Sequence, residues 1–196
     1  IEDITAIKNE VSNLKGVTAE NSGMANVVFG NKSNSSLIVG TTSDYFIIKD
    51  WEVEQGRIFE EGELSSGKSV CILGTTVVKN LFGDENPIGA TIRLKNFPCS
   101  VIGVLASKGA SSFGRDQDEV VITPLKMYQR KIQGNLDVSS IIVSVMEEKY
   151  IEDAKEQIIS LMQDRRAVKV GESDNFHIRD MKDILNTMTS TTKMLT

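Results

Sequence analysis

The sequence predicts an α+β fold: a lobe of helices and strands built from the two ends of the chain, with a β-rich lobe inserted between them. Three observations carry that prediction. Apolar residues recur at three- and four-residue spacing near both termini, short apolar runs and glycine turns crowd the middle, and the flanks of that middle alternate between strand and helix periodicity. The outer lobe is assigned residues 1–43 and 136–196, with an amphipathic stalk helix at each end, and the inserted lobe residues 44–135.

Each element follows from local pattern. Ile4, Ile7, Val11 and Leu14 mark one face of a helix that ends near Gly16. Val17 to Phe29 and Ser36 to Gly40 read as strands joined by the polar turn Gly30 to Asn34. Asn31 and Asn34 head N-x-S sequons, which carry weight only in a glycosylating host. Asp44-Tyr45-Phe46 reads as a helical turn. From Gly56 to Pro124 short strands alternate with glycine turns, and one short helix, Thr75 to Phe82, is bracketed by Gly74 and Gly83 as breakers. Asn86-Pro87-Ile88-Gly89 is a turn, because proline fixes φ and glycine permits the reversal. Leu81, Phe82 and Ile88 read as core of the inserted lobe. Ser139 to Val145 alternates as a strand, and Tyr150, Ile151, Ala154, Ile158, Leu161 and Met162 share one helix face. Val168 to Val170 and Asn175 to Ile178 supply further strand material. Met181, Ile184, Leu185, Met188 and Leu195 mark the closing helix, with Asp180 as its N-cap.

Composition narrows the function. With 196 residues, 40% hydrophobic and 25% charged, the chain has the make-up of an ordinary folded protein and length enough for a core. A net charge of -5, and no basic stripe interleaved with aromatics, argue against a nucleic-acid partner. Lys126, Arg130 and Lys131 are the one basic cluster, a pattern that is more often a solvated face than a phosphate site. No segment reaches the roughly 20 apolar residues of a membrane span, so the sequence predicts a soluble piece. Its start at Ile1, with no leader-like run, points to a part of something longer. Cys71 and Cys99 fall in strand-like runs and read as buried free thiols, with a disulfide open to them where the strands are neighbours.

The search for chemistry returns one false lead. Gly62 to Ser69 spells G-x-x-x-x-G-K-S, the form of a nucleotide-cradling P-loop. Such a loop needs a strand before it and a helix after it, so that amides at the helix N-terminus converge on phosphate. Here Val70-Cys71-Ile72-Leu73 follows as a strand, while Glu60, Glu61 and Glu63 would repel phosphate. The stretch therefore reads as a polar, hairpin-like turn. His177 is the single histidine, and no G-x-S-x-G elbow or zinc-type spacing accompanies it. Asp116-Gln117-Asp118-Glu119 lacks the spacing of a calcium loop and reads as exposed, and adjacent acids such as Glu60 and Glu61 are more often solvated than glycosidic. No catalytic, metal or cofactor-binding residue is assigned, which favours a binding or transmission module over an enzyme.

The middle of the chain carries a family pattern: Gly56-Arg57-Ile58-Phe59, Val70-Cys71-Ile72-Leu73-Gly74, LFGDENPIGATIRL from Leu81 to Leu94, Val101-Ile102-Gly103-Val104 and Val121-Ile122-Thr123-Pro124. This order and spacing resemble the extracytoplasmic core domain of MacB-type ABC transporter permeases. Ser43-Asp44-Tyr45-Phe46 and the closing Thr189 to Leu195 helix fit as well, so the resemblance covers essentially the whole chain. SSFGRDQDEVVITP and QGNLDVSSIIVSV look closer to the MacB branch than to lipoprotein-releasing or cell-division relatives. Cys71 stands where members of the family usually have a hydrophobic residue or alanine, so the cysteines inherit no role.

The resemblance implies a porter-like outer lobe on stalk helices, lying between the first and second of four membrane spans of a homodimeric permease. It places the domain on the periplasmic or extracellular side of the inner or cytoplasmic membrane. It also implies a periplasmic adaptor and an outer-membrane exit duct as partners, with ATP and Mg confined to a cytoplasmic ATPase part. The domain would then be non-catalytic, passing ATP-driven motion on to cargo. Within it, the polar loop from Ala110 to Glu119, and in particular Ser111, Ser112, Phe113, Gly114, Arg115 and Asp116, is the candidate partner contact. The rival reading is a peptide- or antibiotic-sensing, or lipoprotein-releasing, permease domain.

Overall fold

The structure is a computed structural model, and it describes residues 2–166 and 177–180. The elements run α1 (Glu2–Glu10), β1 (Leu14–Phe29), β2 (Lys32–Thr41), α2 (Asp44–Ile48), β3 (Val53–Gly56), α3 (Glu61–Ser66), β4 (Val70–Leu73) and α4 (Thr75–Phe82). Then come β5 (Thr91–Leu94), β6 (Phe97–Leu105), β7 (Val120–Pro124), α5 (Leu125–Met127) with a π-helix over Tyr128–Gln133, β8 (Ser140–Val145), a 3₁₀ turn at Glu148–Tyr150 and α6 (Ile151–Arg166). This mixed helix-and-strand content is the α+β class that the sequence predicts.

Among the described residues the chain forms two compact units, one of residues 15–144, the other of residues 2–14, 145–166 and 177–180. These divisions fall elsewhere than the lobe boundaries expected from the sequence. Strands β1 and β2 pair antiparallel from Glu20↔Thr41 to Phe29↔Lys32 through the two-residue turn Gly30-Asn31. Strand β2 then runs parallel to β7 from Leu37↔Val120 to Thr41↔Pro124, and β1 meets β5 at Val27↔Leu94. The ladder order β2-β7-β4-β6-β5-β1 returns to β2 through the β1–β2 pairing, so these six strands close on themselves. Strand β3 is added on β6, and β8 on β1.

The central strands are buried on both faces. All four residues of β4 and all five of β7 are buried. Because side chains alternate along a strand, Cys71, Leu73 and Val121 enter one core with Val77, Leu81 and Phe82 of α4. Val70, Ile72, Val120 and Ile122 enter a second core with Tyr45, Phe46, Trp51 and Phe59. Each fully buried aliphatic of this kind contributes about 1.5–3 kcal/mol by removal from water. Helix α4 is capped by Gly74 and Gly83, and Leu81 and Phe82 are in the core with Ile88 packed against it, as their sequence pattern implies.

Local boundaries shift in three places. Helix α1 stops at Glu10, and Leu14 begins β1 instead of closing the helix. Asn13 breaks the helical path by taking φ 60°, a left-handed conformation that asparagine tolerates better than most residues. The expected turn over Gly62 to Ser69 contains a six-residue helix, α3, ended by Gly67 at φ 69°. His177 and Ile178 form no strand, while Asn175, Val168 to Val170 and the closing helix Met181 to Leu195 lie outside the described residues.

In the second unit α1 and α6 contribute apolar faces, with Ala6, Ile7 and Val11 of the first segment and Ala154, Ile158 and Met162 of the second all buried. Asp3 accepts from Arg165 at 2.9 Å and from Arg166 at 3.2 Å, and Ser12 donates its amide to Gln157 at 3.2 Å. Asp180, expected as an N-cap, forms an ion pair with Lys155 at 3.1 Å. Among the described residues no helix is long and apolar enough to cross a membrane.

Candidate functional site

The loop joining β6 to β7, residues 106–119, is built from its base upward. Its start is fixed to the chain after α2, since the Ala106 amide donates to the Glu52 carbonyl at 2.9 Å and the Trp51 indole donates to the Ala106 carbonyl at 2.7 Å. Its end is gathered by one carboxylate. Asp118, buried, accepts from the Lys108 amide at 2.7 Å, the Gly109 amide at 2.9 Å and the Ser107 hydroxyl at 2.8 Å. Burial pushes its pKa up, but the Lys108 and Gly109 amides and the Ser107 and Thr75 hydroxyls outweigh that, and the net shift is downward.

Above this base the chain narrows to a finger. Ala110 bridges Asp116, the Ser111 amide donates to the Arg115 carbonyl at 2.8 Å, and the Gly114 amide closes the tip on the Ser111 carbonyl at 2.9 Å. Gly114 sits at φ 75°, a conformation that suits glycine. The structure thus brings Ser111, Ser112, Phe113, Gly114, Arg115 and Asp116 together in one finger, all exposed except the half-buried Ser111. Phe113 at the tip is 76% exposed, the highest among the exposed large hydrophobic residues described. Asp116 turns back to the scaffold: it accepts from the Thr76 hydroxyl of α4 at 2.7 Å and from the Asp118 amide at 2.9 Å.

Beside the finger lies a groove of about 240 Å³, lined among others by Met24, Tyr45, Lys49, Trp51, Lys108 and Arg115. Sequence reasoning missed it, because its walls come from β1, β2, the α2 region and the loop. One signal was available: Trp51 is the single tryptophan of the chain. The Lys108 ammonium sits 4.7 Å from the Trp51 ring centre and donates to the Lys49 carbonyl at 2.7 Å, and the Lys49 ammonium is 5.7 Å from the Tyr45 ring centre. Burial, and then Glu20, push the Tyr45 hydroxyl far above its ordinary pKa, so it stays a neutral phenol.

The P-loop look-alike has inverted geometry. Helix α3 precedes Gly67 and strand β4 follows Ser69, the reverse of a phosphate cradle. Its charges are committed to each other: Glu63 accepts from Arg57 at 2.6 and 3.2 Å and from the Glu60 amide at 3.0 Å, with Lys68 at 3.8 Å. The hydrogen bond from Arg57 draws the Glu63 pKa down, against burial that raises it. Cys71 and Cys99 are both free and buried, and His177 is exposed. Among the described residues no group of three or more His, Cys, Asp or Glu side chains is arranged to hold a metal ion.

The first unit is thus a closed set of strands bearing a tethered finger, and comparison with known proteins identifies its class. The MacB-like periplasmic core domain family matches residues 1–161. The macrolide export ATP-binding/permease protein MacB of Chlorobium phaeobacteroides is 35% identical over the full chain, which spans 29% of that relative's length. Among solved structures, the periplasmic region of MacB from Actinobacillus actinomycetemcomitans superposes with a TM-score of 0.78 at 25% identity, covering 96% of this chain and 81% of that one. The extracellular domain of the noncanonic ABC-type transporter YknZ from Gram-positive bacteria shares the fold, with a TM-score of 0.72 at 24% identity over 86% of this chain and 84% of that one. The chain belongs to the MacB-like periplasmic core domain family, the periplasmic part of a MacB-like ABC transporter permease.

Proposed function

We propose that this domain couples ATP-driven motion of an export permease to cargo movement by holding a periplasmic adaptor, and that the finger from Ser111 to Asp116 makes the contact. The observation that carries this reading is the 76% exposed Phe113 at the tip of a loop whose base is pinned by Asp118. An aromatic presented on a preorganised support is the kind of residue that dominates protein interfaces, because little ordering entropy opposes its burial. In the full-length protein the domain works as a homodimer, between membrane spans at both flanks, against an outer-membrane exit duct. ATP and Mg act in a cytoplasmic ATPase part, and the domain itself has no catalytic role.

Replacing residues 111–116 by two glycines in the full-length transporter is expected to weaken adaptor binding at least tenfold in a pull-down titration, an effect of the size a lost hot spot gives. Unchanged binding would dispose of the contact. Reading the gene outward from both ends tests the setting: apolar spans of about 20 residues on both flanks, with a P-loop in strand-loop-helix context upstream, are expected. Spans without that P-loop would favour a separate ATPase and the sensing or lipoprotein-releasing reading, and no spans would overturn the transporter assignment.

A further inference from the structure

We propose that the groove beside the finger is a binding site for a small amphipathic carboxylate, its anionic group held between the Lys49 and Lys108 ammoniums and its apolar body lying along Met24 and Leu37. Three cations line this groove, Lys49, Lys108 and Arg115, and none of them has a carboxylate within ion-pair distance among the described residues. Two of the three are already positioned. Lys108 is fastened by its hydrogen bond to the Lys49 carbonyl and by the Trp51 face, and Lys49 lies over the face of Tyr45. Their mutual repulsion is visible in Lys108, whose pKa is drawn down by burial and then by Lys49, with Asp50 and Asp118 opposing. An anion seated between them would relieve that repulsion.

The remaining wall selects the kind of anion. Met24 is 59% exposed on β1, and the half-buried Leu37 of β2 continues the apolar surface over the Val120 side chain of the core beneath. Three carboxylates, Glu20, Asp116 and Glu119, also line the groove. Asp116 accepts from Thr76 and the Asp118 amide, Glu119 accepts from Asn34 at 3.3 Å, and Glu20 acts on the Tyr45 hydroxyl, so the three carboxylates oppose more than one negative charge in the groove. A doubly charged phosphate is therefore disfavoured, while a single carboxylate with a hydrocarbon body gains from both the lysines and the apolar wall.

Trp51, the single tryptophan, makes intrinsic fluorescence a report on this groove. The chain would be titrated with butyrate, octanoate, octanol and inorganic phosphate, with calorimetry as the second readout. Octanoate is expected to give a saturable change in Trp51 emission and to bind at least tenfold more tightly than butyrate, since each buried methylene is worth about a fourfold gain. The paired substitution Lys49→Gln and Lys108→Gln is expected to weaken octanoate at least tenfold by calorimetry, while Lys49→Arg with Lys108→Arg retains binding. Thermal melts of both variants verify that they fold. Octanol or phosphate binding as tightly as octanoate, an unchanged affinity in the glutamine variant, or no saturable signal would each overturn the proposal.

Discussion

Asp118 is the residue on which the loop's shape depends most. Its carboxylate accepts from two amides and from the Ser107 hydroxyl, which an asparagine amide in its place matches only in part. Its folded pKa lies below the ordinary carboxylate value, so its contribution is fully present above the unfolded pKa, about 3.9, and is lost as pH falls through the folded value. Asp118→Asn is expected to destabilise the domain by about 1–3 kcal/mol at neutral pH and to flatten the acid limb of a melting-temperature profile below about pH 4. An unchanged acid limb would assign that limb to other carboxylates. The cysteines support a second expectation. Cys71 pairs with Val101 across parallel strands, so Cys99, two residues earlier, is its diagonal neighbour. The two thiols are near enough to hydrogen-bond, and both are free. Burial, and then the nearby Cys99 thiol, hold the Cys71 thiol well above its usual range and make it a poor nucleophile. A thiol assay is expected to count both cysteines in guanidinium and almost none in the native protein. A missing pair under denaturing conditions would mean that the two thiols have bridged.

At the scale of elements, α3 shows why a motif needs its context. The letters G-x-x-x-x-G-K-S are all present, yet Gly62 lies within a helix and Lys68 faces Glu63, so the amides that would cradle phosphate do not converge. A ligand that binds only the folded state raises the melting temperature by mass action. Millimolar ATP with Mg is accordingly expected to leave the melting temperature of this domain unchanged by scanning calorimetry, and a rise of several degrees would show that the element holds nucleotide after all. Strand β4, immediately after it, was legible from Val70 to Leu73 because a four-residue apolar run ending in glycine is characteristic of a strand buried on both faces. Helix α3 was not legible, because six residues bearing two serines and a glycine carry no clear period, and its start depends on Glu63 folding back to the Glu60 amide.

At the scale of the whole molecule, the alternation of β4 and β7 between two cores makes the first unit dependent on both. Ile72 and Leu73 are adjacent in sequence, fully buried, and enter opposite cores. Ile72→Ala and Leu73→Ala are each expected to lower stability by about 2–5 kcal/mol, and chemical denaturation followed by circular dichroism should show one cooperative loss of the unit in both. A variant that lost only one core, with a second transition left intact, would mean that the closed set of strands is not one folding unit.

The sequence by itself determined the α+β class, most strands and helices, the family, and the finger as a loop of interest, because those depend on periodicity, turn chemistry and residue order along the chain. It could not supply the parallel pairing of β2 with β7, the grouping of β1 and β2 with the inserted strands, or the groove. The pairing joins Leu37 to Val120, and the groove brings Met24, Lys49, Trp51 and Lys108 to one place. Such contacts are set by packing between residues far apart in the chain, where many pairings satisfy the same local pattern and only burial of both sheet faces selects one.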